Sequence, residues 1–84
     1  MKKRPYAVVA YFRTPRVEWF RSRAGALERG SHYDVWEACF DGSLDEESPP
    51  RGHAVLRAPR RWRPPGDPAL LVAYLEDYGT EVPD

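Results

Sequence analysis

Thirteen Lys/Arg balance thirteen Asp/Glu among 84 residues, and a pI of about 6.7 excludes the uniformly basic domain expected of a dedicated nucleic-acid binder. At 42% hydrophobic content, with three Trp, five Tyr and three Phe, the chain has enough apolar surface for one small core, which excludes a disordered tail and a second domain, so 1–84 is expected to be a single domain. The lone Cys39 excludes an internal disulfide and no run approaches the roughly 18 apolar residues of a membrane span, so a soluble cytoplasmic protein with no membrane partner is expected.

Residues 6–12 (YAVVAYF) are β-branched and aromatic, with apolar groups on both alternating faces, and predict a central strand. The basic residues before them do not make a signal peptide, because the apolar run ends at Arg13 without a small-residue cleavage site. Arg13-Thr14-Pro15-Arg16 breaks the pattern, and residues 17–21 resume it with Trp19 and Phe20, which predicts a hairpin. Ser22 can cap a short helix over 23–30 that Gly30 would stop. Residues 34–40 (DVWEACF) alternate Trp36, Ala38 and Phe40 against Val35, Glu37 and Cys39, and are expected to form a third strand.

Residues 41–52 (DGSLDEESPPRG) collect Gly, Ser, Pro and acids, the composition of a long, mobile loop that folding does not need. A short fourth strand is expected over 53–58. In PPGDPALLVAYLEDYG, Asp67 is a good N-cap, Pro68 a favoured first helical residue and Gly79 a natural stop, which predicts a helix over 68–78. Leu70, Leu71, Tyr74, Leu75 and Tyr78 form its apolar stripe. The fold class is therefore α+β: an antiparallel sheet of about four strands with two helices, both expected on one face.

Charge is segregated along the chain. Residues 1–30 hold eight Lys/Arg and two acids, 31–50 no bases and six acids, 51–64 five bases and no acid, and 65–84 no bases and five acids. Such blocks mark either neighbouring segments that pair or separate basic and acidic faces.

Chemical motifs are sparse. Cys39, His32 and His53 with Asp34 or Asp41 form the one conceivable nucleophile, base and orienting set, but Cys39 sits between Ala38 and Phe40, the setting of a buried inert thiol. His32-x-Asp34 with His53 offers three metal donors without a recognised spacing, so no metal site and no cofactor are expected. Phosphate-binding glycine loops are absent. Arg51, Gly52 and Ala54 fit the RNA-binding sheet motif, but His53, Val55 and Ala58 stand where its stacking aromatics belong.

The remaining feature is RAPRRWRPPGDP at 57–68, joined by the basic hairpin of Arg13, Arg16, Arg21 and Arg23. Arginine forks to carboxylates and tryptophan buries a large rigid area, the two types that dominate protein-interface hot spots. Arg13, Arg16, Arg57, Arg60, Arg61, Trp62 and Arg63 are the expected partner-binding residues. The expected function is a small non-catalytic protein-binding module acting by occupancy, as an adaptor or as an inhibitor of a larger complex, on a protein partner with an acidic surface. An inhibitor encoded by a phage or mobile element is one concrete form. The alternative is a nucleic-acid partner held by the hairpin and the Arg/Trp segment.

Overall fold

The computed structural model describes residues 4–44, 47–60 and 65–83. Strand β1 (Tyr6–Ala10) lies between β2 (Arg16–Phe20) and β3 (His53–Arg57), antiparallel to both. A two-residue strand β4 (Thr80–Glu81) closes the far edge, giving the order β2-β1-β3-β4. Helix α1 (Arg23–Cys39) follows the hairpin and α2 (Pro68–Tyr78) precedes β4. The expected α+β fold with a four-stranded antiparallel sheet and two helices is the fold found.

The helices do not share a face of the sheet. Ala7, Val9, Leu56 and Ala58 pack against Val72 and Leu75 of α2, whereas Val8, Ala10 and Val55 pack against Ala26 and Tyr33 of α1. Successive strand residues point to opposite faces, so these two clusters lie on opposite sides of the sheet. Residues Ala7 to Ala10 are at most 1% exposed, which only coverage of both faces allows. A sheet with five-residue strands and a two-residue edge is narrow enough for one helix to cover each face. The two-sided apolar pattern of YAVVAYF already carried this arrangement.

Residues 34–40 are not a strand. Residues 34–39 are the second half of α1 and Phe40 is its C-cap, and the stripe that decides it is Ala26, Gly30 and Tyr33, buried at i, i+4 and i+7. Ser22 caps the helix as expected, its hydroxyl accepting the Gly25 N–H at 3.0 Å. Gly30 does not stop it. A Cβ there would lie 3.1 Å from Val55 Cγ2, so this glycine lets the helix cross close to β3. Beyond Cys39 the chain turns at Gly42, whose φ of +83° suits glycine, with the Ser43 N–H donating to Asp41 Oδ1 at 2.8 Å.

Helix α2 has the predicted bounds. Asp67 Oδ1 accepts from the N–H groups of Ala69 (2.9 Å) and Leu70 (3.3 Å), with Pro68 in the first turn. Its buried stripe is Val72 and Leu75, with Leu71 and Tyr74 half-buried and Leu70 and Tyr78 exposed. Gly79 donates its N–H to the Leu75 carbonyl at 2.7 Å, and the chain turns at once into β4. The last residues of the segment between α1 and β3, Pro50 to Gly52, are tied to the fold. Tyr11 and the 51–52 segment extend the β1–β3 ladder (Tyr11 N–H to Gly52 O, 2.9 Å; Arg51 N–H to Tyr11 O, 3.0 Å), and Pro50 is buried.

Candidate functional site

The loop between β1 and β2 and the segment 47–51 meet at one end of the sheet and enclose an open groove of about 900 Å³. Its walls are Tyr11 to Arg16 on one side and Glu47, Ser48, Pro49 and Arg51 on the other. Prolines 15 and 49 limit the backbone freedom of both walls. Phe12 lies against Trp36, ring centroids 5.7 Å apart, and edge-on to Tyr33 at 6.2 Å. The Arg16 guanidinium covers the Phe12 ring at 4.3 Å, a cation–π arrangement that orients its fork. The groove thus rests on an aromatic support built jointly by the β1–β2 loop and α1.

Among the described residues the groove lining is positive. Arg13, Arg16 and Arg51 line it against one described carboxylate, Glu47, which pairs with Arg16 Nη2 at 2.9 Å. No carboxylate among the described residues pairs with Arg13 or Arg51. Behind the groove, Tyr11 donates its hydroxyl to Glu76 Oε1 at 2.8 Å, linking the hairpin to α2. Burial first, and then the bond to the Glu76 carboxylate, push the Tyr11 phenol up to about 12. Glu76, in the last turn of α2 where the helix dipole disfavours negative charge, thereby finds a neutral donor.

Of the seven residues singled out from sequence, the four described ones do not form one patch. Arg13 and Arg16 are exposed in the groove. Arg57 stands opposite Tyr6, at the other end of the strand whose Ala10 faces Arg16, so the two arginines are separated by roughly 13–17 Å of strand. Arg57 covers the Tyr6 ring at 5.7 Å, and Arg60 is exposed just beyond it. Arg21, just past β2, and Arg23, the first residue of α1, also fall at this far end, where Arg23 donates to the Pro83 carbonyl. Arg61, Trp62 and Arg63 lie outside the described residues. Arg51 and Phe12 were missed as site residues. Arg51 opens the RGHAVLRA stretch already compared with an RNA-binding motif, and nothing local in sequence shows that its neighbours meet the hairpin.

Cys39 is exposed, not buried, at the end of α1. His53 faces that helix, with Nε2 3.7 Å from Asp34 Oδ1 and Nδ1 3.7 Å from Glu37 Oε1. Cys39 follows Glu37 by two residues, roughly 200° around the helix from the carboxylate facing the imidazole. His32 is exposed and outside this group. No helix among the described residues is long and apolar enough to cross a membrane. No family model, curated protein or solved structure matches the chain.

Proposed function

We propose that the protein is a non-catalytic binding module that acts by occupancy, seating an acidic segment of a protein partner in the groove between the hairpin and residues 47–51. The observation that carries this reading is the charge imbalance over an aromatic floor: Arg13, Arg16 and Arg51 against Glu47, above Phe12. A guanidinium forks to carboxylates, and an aromatic platform beneath it adds apolar area that pure charge lacks. Occupancy of such a groove suits an adaptor or an inhibitor of a larger complex, in a cytoplasmic setting.

The test is capture of the partner from the source cell by the parent chain and by an Arg13→Ala/Arg16→Ala/Arg51→Ala variant. All three side chains are exposed, so the variant is expected to melt within a few degrees of the parent yet lose capture, and rising salt should imitate the loss. Undiminished capture by the variant rejects the groove as the contact surface. A generic oligonucleotide retained by the parent at about 50 mM salt and released steeply above it replaces the protein partner with a nucleic acid.

A further inference from the structure

Asp34 and Glu37 lie three residues apart on α1 and therefore on one side of the helix, facing the first residue of β3. We infer that Asp34, Glu37 and His53 form a binding site for a divalent transition cation of the zinc class, which clamps α1 to β3. The His53 ring is held rather than free: its side chain is 16% exposed and it lies against Tyr33, centroids 5.8 Å apart. Neither ring nitrogen makes a hydrogen bond among the described residues, because both facing carboxylate oxygens stand at 3.7 Å, beyond hydrogen-bond reach.

That spacing suits a shared ion better than direct contact. One donor atom from each of the three residues lies within 4.8 Å of the other two. Ligands around zinc at about 2.0–2.2 Å sit roughly 3–3.5 Å apart, and since one ion takes one ring nitrogen, closing the set on Nδ1 beside Glu37 requires the Asp34 carboxylate to swing across from Nε2. Asp34, with its side chain 70% exposed, has room for that rotation. Charge points the same way, since no arginine or lysine among the described residues pairs with Asp34 or Glu37. As a metal ligand the imidazole is neutral, so the two carboxylates bring two negative charges that a divalent cation balances. One imidazole nitrogen with two carboxylates selects zinc, cobalt or nickel over magnesium or calcium, which favour all-oxygen shells.

The site is independent of the groove reading and is tested with zinc alone. Titration of the metal-free chain is expected to show one zinc per chain and a rise in melting temperature of at least about 5 °C at saturating zinc. Asp34→Asn, Glu37→Gln and His53→Ala should each weaken zinc binding tenfold or more, whereas His32→Asn with Cys39→Ser should leave it unchanged. Absence of a zinc-dependent shift in the parent overturns the inference, as does a shift that survives His53→Ala. Should His53→Ala fail to fold, the exposed Asp34→Asn decides alone: parental zinc affinity in that variant overturns the site. An equal rise with magnesium overturns the assigned class.

Discussion

Arg16 donates from Nη2 to Glu47 Oε1 at 2.9 Å, and the backbone carbonyl of the same glutamate accepts the Trp36 indole N–H at 3.2 Å. Glu47 is thus fixed at the mouth of the groove from α1, with its carboxylate where a partner's acid would sit. Both side chains of the ion pair are more than half exposed, at 57% and 61%, so solvent screening leaves the pair little worth to stability. Its larger effect is on the field of the groove, where it offsets one of three guanidiniums.

Glu47→Gln should therefore leave the melting temperature within a few degrees of the parent and strengthen binding of an oligoglutamate peptide by about threefold to tenfold at low salt. The gain should shrink toward nothing at high salt. Equal peptide affinity in the two proteins at low salt shows that Glu47 does not compete for the groove.

The buried stripe of α2 ranks its leucines. Leu75 is fully buried, Leu71 is half-buried and Leu70 is 61% exposed. Leu75→Ala should cost about 2–5 kcal/mol, enough to unfold a marginal small domain, whereas Leu70→Ala should stay within about 0.5 kcal/mol. Chemical denaturation of both variants checks the order, and a Leu70 variant less stable than the Leu75 variant moves the core to the other side of the helix.

What was legible follows from where the deciding interactions lie. Helix α2 was readable because its signals are local: Asp67, Pro68 and Gly79 bracket a helical stripe. The hairpin and central strand were readable for the same reason. Helix α1 was misread past Gly30 because the role of that glycine is set by Val55, 25 positions away in the chain, and no local signal separates a stop from a close crossing. The error carried into the site. In a strand, Asp34 and Glu37 would point to opposite faces, and only the helix turns both toward His53. The groove was half legible, since Arg13 and Arg16 are neighbours in sequence but Arg51 joins them through the Tyr11–Gly52 ladder.

Two glycines test the close approaches directly. A Cβ at residue 30 would press on Val55, itself buried, and a Cβ at residue 79 would run into the Leu75 carbonyl oxygen. Alanine normally stabilises a helix interior by about 1 kcal/mol over glycine, yet Gly30→Ala should destabilise, since overpacking at such a contact costs about 1–3 kcal/mol. Gly79→Ala should lower stability further, because the obstructing atom is backbone and cannot rotate away. A Gly30→Ala variant more stable than the parent means that Val55 yields, and that the glycine was not required for the crossing.

Two tyrosines make stability fall in alkali. Tyr33 donates its hydroxyl to Glu18 Oε1 at 2.6 Å, beside Arg29, whose Nε donates to the same oxygen at 3.0 Å, and so ties α1 to β2. Burial and then the Glu18 bond hold its phenol above the ordinary value of 10.0, as burial and Glu76 hold Tyr11 at about 12. A raised phenol means that the folded chain keeps protons which the unfolded chain releases. The stability these groups contribute is therefore complete below pH 10 and is lost as pH climbs above it, for Tyr11 through about 12. Melting temperatures measured from pH 8 to 11.5 should decline steeply above about 10 in the parent and more gently in Tyr11→Phe/Tyr33→Phe, which has no phenol to ionise at either position. At pH 8 the double variant should itself be less stable by about 1–3 kcal/mol, because two hydrogen bonds to carboxylates are gone. An alkaline decline as steep in the variant as in the parent would place the titrating groups elsewhere and remove both phenol–carboxylate links from the account of how the helices are held to the sheet.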